Sequence, residues 1–138
     1  MYKIVVASHG PLAGAMKESL KFFFSNDIDV TTISIDERGL VAFQAEMDHV
    51  FQQIGAHDVL IFTDLLYGTP FNEAAKRAAT LEQDFEIIAG VSMPLLVEAV
   101  NYQRQIKKLT EITPYLLEIG KPSSFKEKMM ENVNTENE

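Results

Sequence analysis

Cysteine and tryptophan are missing from this 138-residue chain, and basic side chains are scarce. Twelve Lys and Arg stand against 20 Asp and Glu, a formal net charge of −8. Without cysteine there is neither a disulfide framework nor a thiolate metal site. The shortage of positive charge argues against non-specific binding to nucleic acid, whose backbone demands a basic surface. It suits attraction to a basic protein partner instead. No apolar run approaches the roughly 18 residues of a spanning helix. The N-terminus shows no basic region leading into a long apolar segment, so no signal peptide is expected and a cytoplasmic location is the default. What remains is ordinary: 46% hydrophobic and 23% charged residues describe a globular protein, and the length is that of one domain.

Strand and helix patterns alternate along most of the chain. Ile4-Val5-Val6 belongs to a continuously apolar run that stops at Ser8-His9-Gly10-Pro11, as a strand buried on both faces does. Leu12, Met16, Leu20 and Phe23 then carry helical spacing to about Ser25, with a break at Asn26-Asp27. Strand character returns at Asp29–Ile35, Asp58–Thr63 and Phe85–Val91. Helical patterns fill Leu40–Ile54, the stretch from Pro70 to Ala79, and Leu95–Val100. This βαβαβαβα order predicts a doubly wound α/β fold with a mainly parallel, flavodoxin-like sheet of order 2-1-3-4. Leu109, Ile112, Leu116 and Ile119 suggest a further helix with Pro114 near a break or first turn. Residues 1–121 form the expected domain. A C-terminal extension, 122–138, holds a possible short strand at Phe125–Met130 and a frayed polar tail.

His9 would stand at the carboxyl end of the first strand, where open α/β sheets place their chemistry. In the 2-1-3-4 order the first and third strands are neighbours across a topological switch point, so Asp64 would face His9. A carboxylate accepting from one ring nitrogen leaves the other nitrogen free as a nucleophile and stabilises the positive charge that develops on attack. Helix starts at Gly10-Pro11 and Thr69-Pro70 would offer backbone amides to a phosphoryl group, among them those of Leu12, Ala13, Phe71 and Asn72. Thr69 adds a hydroxyl, and Gly68 permits close backbone approach. Plainer readings stand beside these. Asp64 also fits a turn cap, Thr69 and Ser92 fit helix caps, and His49 and His57 read as solvated. Phe22–Phe24 reads as core with a contact to a second copy. No Walker loop, dinucleotide-binding turn or metal-ligand cluster is present.

Ser8-His9-Gly10, Asp64 with the run from Gly68 to Asn72, and the run from Gly90 to Glu98 together resemble the IIA component of the mannose family of the bacterial sugar phosphotransferase system. The likeness covers most of residues 1–101. It implies that His9 accepts a phosphoryl group from the phosphocarrier HPr and passes it to a IIB subunit, which serves the membrane subunits IIC and IID. It implies also that Asp64 is the partner of His9 and that the Thr69 hydroxyl lies near the phosphoryl group; with the helix starts read above, Gly10, Gly68, Thr69 and Phe71 are the expected phosphoryl-binding residues, with no metal and no cofactor. A homodimer exchanging a C-terminal strand, here about residues 124–129, follows from the same resemblance. Many members carry Trp and a Gly pair where this chain reads Leu66-Tyr67-Gly68, a departure at the rim that meets partner proteins. The chain is expected to be a free-standing IIA subunit, since it stops soon after the turn at Gly120–Ser124. Two alternatives remain at this point. One is a module that senses phosphorylation without passing it on. The other is a histidine phosphatase-like enzyme, which would need arginines, and the chain offers only Arg38, Arg77 and Arg104.

Overall fold

Four short strands, the first and third of them continuously apolar at their centres, pair into one all-parallel sheet whose spatial order is second, first, third, fourth. They are β1 (Lys3–His9), β2 (Val30–Ile35), β3 (Val59–Thr63) and β4 (Phe85–Ala89). The computed structural model describes residues 1–25 and 27–136. Helices cover both faces, so β1 and β3 are buried on both sides. The helices are α1 (Leu12–Leu20), α2 (Leu40–Ile54), α3 (Thr69–Ala78), α4 (Met93–Arg104), α5 (Leu109–Ile119) and α6 (Phe125–Glu136). The two-residue period of a strand divides the core. Ile4, Val6, Leu60 and Phe62 pack under α1, α4 and α5. Val5, Ala7, Val59 and Ile61 pack under α2 and α3. Each of these buried Val, Leu, Ile and Phe side chains contributes about 1.5–3 kcal/mol by leaving water. The predicted fold class and strand order are those observed.

Several expectations from sequence need correction. The first helix ends at Leu20 rather than near Ser25, and Lys21–Phe24 forms turns. Phe22 and Phe23 face solvent, while Phe24 packs on the core with the Arg104 guanidinium 4.8 Å from its ring centroid. The expected break at Asn26-Asp27 falls partly outside the described residues, because Asn26 is not among them. Pro114 lies inside α5 and causes no break. Its ring leaves the carbonyl of Thr110 without a helical donor, but both residues are exposed, so that carbonyl meets water. Buried Leu109, Ile112 and Leu116 hold the opposite side of the helix.

The stretch expected as a strand at about 124–129 is instead the start of α6. Lys, Glu and Met are good helix formers, and the Ser124 hydroxyl accepts from the Glu127 amide at 3.3 Å as a cap would. A helix satisfies its own backbone, whereas a strand needs a neighbouring edge to pair with. The expected frayed tail is helical to Glu136, and residues 137 and 138 lie outside the described residues.

Candidate functional site

Strand periodicity decides where the two residues that end β1 point. Ser8 falls on the α1 face and is fully buried. Its hydroxyl accepts from the Ala13 amide at 2.8 Å, taking up one of the orphan donors of the α1 start. His9 falls on the opposite face, toward α3, with 45% of its side chain exposed. Gly10 follows at φ +60°, a left-handed turn that releases the chain from β1 into α1. The Gly10 amide donates to the Ile35 carbonyl of β2 at 2.8 Å. What Gly10 supplies at the rim is therefore its conformation and not a free donor.

Asp64 meets His9 twice. One carboxylate oxygen, Oδ2, accepts from the His9 amide at 2.9 Å and lies 2.9 Å from ring Nδ1. The other, Oδ1, accepts from the Leu65 amide at 3.0 Å. Asp64 thus serves as turn cap and ring partner together. Only 12% of its side chain is exposed. That burial pushes the carboxyl upward, yet the hydrogen bonds from the His9 amide and ring and the attraction of the ring outweigh it and hold the carboxyl below its ordinary value. An ionised carboxylate only accepts, so in the neutral ring the proton sits on Nδ1 and the lone pair on Nε2. The arrangement leaves one nitrogen, Nε2, without a partner among the described residues, on an exposed ring.

Gly68 fixes the other side of the ring. A Cβ built there would stand 3.0 Å from His9 Cε1, the carbon between the two ring nitrogens. The backbone at Gly68 is extended, φ −72°, and caps α3. It is therefore the space, and not the conformation, that calls for glycine. Thr69, expected to cap α3, is its first residue, while Ser92 does cap α4 by accepting from the Leu95 amide at 3.5 Å. Two amides expected to face an anion are already engaged: Ala13 by Ser8, and Asn72 by the Gly68 carbonyl at 2.9 Å. The amides of Leu12, Thr69 and Phe71 have no partner among the described residues.

The arginines serve elsewhere. Arg38 joins Asp36 and Glu46, Arg77 joins Glu73 and Asp48, and Arg104 reaches the Asp27 carbonyl. The arginine cluster that a phosphatase reading requires is thus absent from the described residues around His9. His49 and His57 are both exposed, with His57 Nδ1 3.0 Å from the Ile54 carbonyl. Among the described residues no three His, Cys, Asp or Glu side chains cluster as metal ligands would. None of the helices described is long and apolar enough to cross a membrane.

Two side-chain roles have no counterpart in the sequence reading. Ser8 anchors α1, which its place after an apolar strand and before a helix start could have signalled. The Asn72 side-chain amide donates to the Tyr67 carbonyl at 3.0 Å, a contact that follows only from the folded loop.

Fold and pair together define a small α/β protein that presents one oriented imidazole at the open edge of its sheet. Residues 3–113 match the model of the EIIA-man family, described as the PTS system fructose IIA component. The chain belongs to that family, whose members are phosphotransfer proteins of sugar transport. A fructose-specific EIIA component of Bacillus subtilis (strain 168) is 27% identical over 108 residues, covering 77% of this chain and 73% of its own. A sorbose-specific EIIA component of Lacticaseibacillus casei is 25% identical over 134 residues, covering 94% and 95%. The solved mannose/sorbose-specific IIA subunit from Enterococcus faecalis superposes with a TM-score of 0.77 at 28% identity, covering 86% of this chain and 89% of that one.

Proposed function

We propose that this chain is a phosphoryl carrier whose His9 Nε2 accepts the group from HPr and surrenders it to a IIB subunit. The observation that carries this reading is the 2.9 Å contact between Nδ1 and Asp64 Oδ2 on a half-exposed ring. In the forward step the Nε2 lone pair attacks phosphorus, and the new N–P bond forms as the N–P bond in the donor breaks. The departing electron pair returns to the donor nitrogen. The proton on Nδ1 stays, and Asp64 faces the cationic ring that results. Transfer to IIB is the same step reversed with a different acceptor. The Thr69 and Phe71 amides and the Thr69 hydroxyl suit the phosphoryl oxygens, and Gly68 keeps the ring beside them.

An exposed ring suits a group brought by another protein. The acidic surface favours a basic partner. The reading includes a cytoplasmic location, assembly as a homodimer, and indirect service to the membrane subunits IIC and IID. The test is incubation with labelled phosphoenolpyruvate, enzyme I and HPr. An acid-labile label that is lost in His9→Ala supports the assignment, and a label that survives the substitution rejects it. Chase with IIB should discharge the label, and a label that stays would favour the sensing module over the carrier.

A further inference from the structure

Between Asp64 and Gly68 the chain exposes Leu65, Leu66 and Tyr67 in succession, with Tyr67 73% exposed. A folded protein rarely shows three adjacent large apolar side chains to water unless they are used. Tyr67 is also held at φ +63°, in the left-handed region that a tyrosine enters only at a cost and glycine enters freely. Two contacts keep it there. The Asn72 side-chain amide donates to its carbonyl at 3.0 Å, and its ring stands edge-on to Phe71, with centroids 5.6 Å apart and planes at 88°. Glycine at position 67 would satisfy the same backbone without strain. A residue kept against its own conformational preference, beside a working side chain, is kept for its side chain.

From this geometry we infer that Tyr67 is the docking residue for the protein that delivers the phosphoryl group to His9. The loop starts at the residue that orients the imidazole and ends at Gly68, whose missing side chain lies 3.0 Å from His9 Cε1. Any macromolecule that brings phosphorus to Nε2 must therefore settle over this loop. A rigid, amphipathic ring with few rotamers is the kind of side chain that anchors protein interfaces. The matching donor surface is apolar around its own phosphorylated side chain, and Leu65 and Leu66 exclude water around the anchor.

This inference rests on the phosphoryl-carrier reading, and two donors separate them. Phosphoramidate, a small donor, reports the chemistry of His9 without docking, whereas phosphorylated HPr reports chemistry and docking together. Tyr67→Gly should fold at least as stably as the parent chain, judged by its thermal midpoint. It should take label from phosphoramidate within two-fold of the parent rate, while its KM for phosphorylated HPr rises about ten-fold. Tyr67→Asn, which also tolerates the left-handed backbone, should behave alike. An unchanged KM for phosphorylated HPr in both variants overturns the docking role and leaves the carrier reading intact. A parent chain that takes no label on His9 from either donor overturns the carrier reading, and this inference with it.

Discussion

Among the described residues, two loops hold a large residue in the left-handed backbone region, Tyr67 before α3 and Ile106 after α4. Both side chains are mostly exposed, at 73% and 72%. Their supports differ. Ile106 closes α4 through main-chain bonds alone, its amide donating to the Gln103 carbonyl and that of Lys107 to the Tyr102 carbonyl, both at 3.1 Å. This is the Schellman arrangement, whose left-handed position usually falls to glycine. Tyr67 is held by side chains, those of Asn72 and Phe71. Their places differ as well. The Tyr67 loop leaves the carboxyl edge of the sheet beside His9. Ile106 lies at the opposite edge, where Gln103 bonds the Tyr2 carbonyl at the start of β1. The same departure from backbone preference thus stands in different settings: a chain reversal closed by main-chain bonds in one loop, an exposed apolar surface beside His9 in the other.

If the β3–α3 loop is arranged for chemistry, the largest effect in the molecule should come from its first residue. Asp64→Asn places an amide where a carboxylate holds the Nδ1 proton, which favours the tautomer with hydrogen on Nε2 and removes the attacking lone pair. Phosphorylation of His9 should slow about ten thousand-fold, the order found when an orienting aspartate is neutralised in hydrolytic triads. Single-turnover labelling reads this directly, and a loss under ten-fold would break the contrast between the two loops. Gly68→Ala comes next. Its backbone tolerates alanine, so the cost falls on the ring that the new methyl meets at 3.0 Å. Displacing a reacting group by a fraction of an ångström costs about ten- to a hundred-fold in rate. The denaturation midpoint should barely move.

A third effect concerns acid. The Asp64 carboxyl is held below its ordinary value of 3.8, so the folded state binds its proton less readily than the unfolded chain does. The stability gained from the pair is therefore complete above that value and lost as pH falls through the lower folded one. Urea unfolding of the parent chain and of Asp64→Asn should show a gap that is constant near neutrality and narrows below pH 3.8. A gap that persists undiminished into strong acid would mean the carboxylate charge contributes nothing to holding the loop.

The pair at the heart of the site was legible because the elements around it were. Apolar strands ending in Ser8-His9-Gly10 and Thr63-Asp64, separated by a clear helix between Gly39 and Gly55, leave few topologies open, and the switch point follows from them. The loop's inner structure was not legible. Nothing in Leu66-Tyr67-Gly68 announces a left-handed tyrosine, because the bond that holds it comes from Asn72 in the next helix. For the C-terminal segment the family resemblance favoured a strand, while its Lys, Glu and Met content and Ser124 cap favoured a helix. Local propensity prevails in the structure, where Phe125–Glu136 is a helix. Pro114 shows the reverse. A strong helix breaker is absorbed because it sits on the wet side of a helix held by its buried residues.

The smallest effect is the sharpest control. Ile106 is β-branched, and a β-branched residue in the left-handed region costs roughly 1–2 kcal/mol, part of which glycine would return as greater freedom of the unfolded chain. Ile106→Gly should therefore stabilise the protein by about 1 kcal/mol, a rise of a few degrees in thermal midpoint for a domain of this size. Phosphorylation from either donor should stay at the parent rate, since the loop lies at the sheet edge opposite His9. Tyr67→Gly removes the same kind of strain, so its stability should rise by a similar amount. A parent-like KM for phosphorylated HPr in Ile106→Gly, against a raised one in Tyr67→Gly, separates strain retained for recognition from strain tolerated in a turn. Equal transfer behaviour in the two variants would show that proximity to His9 gives the tyrosine no special part.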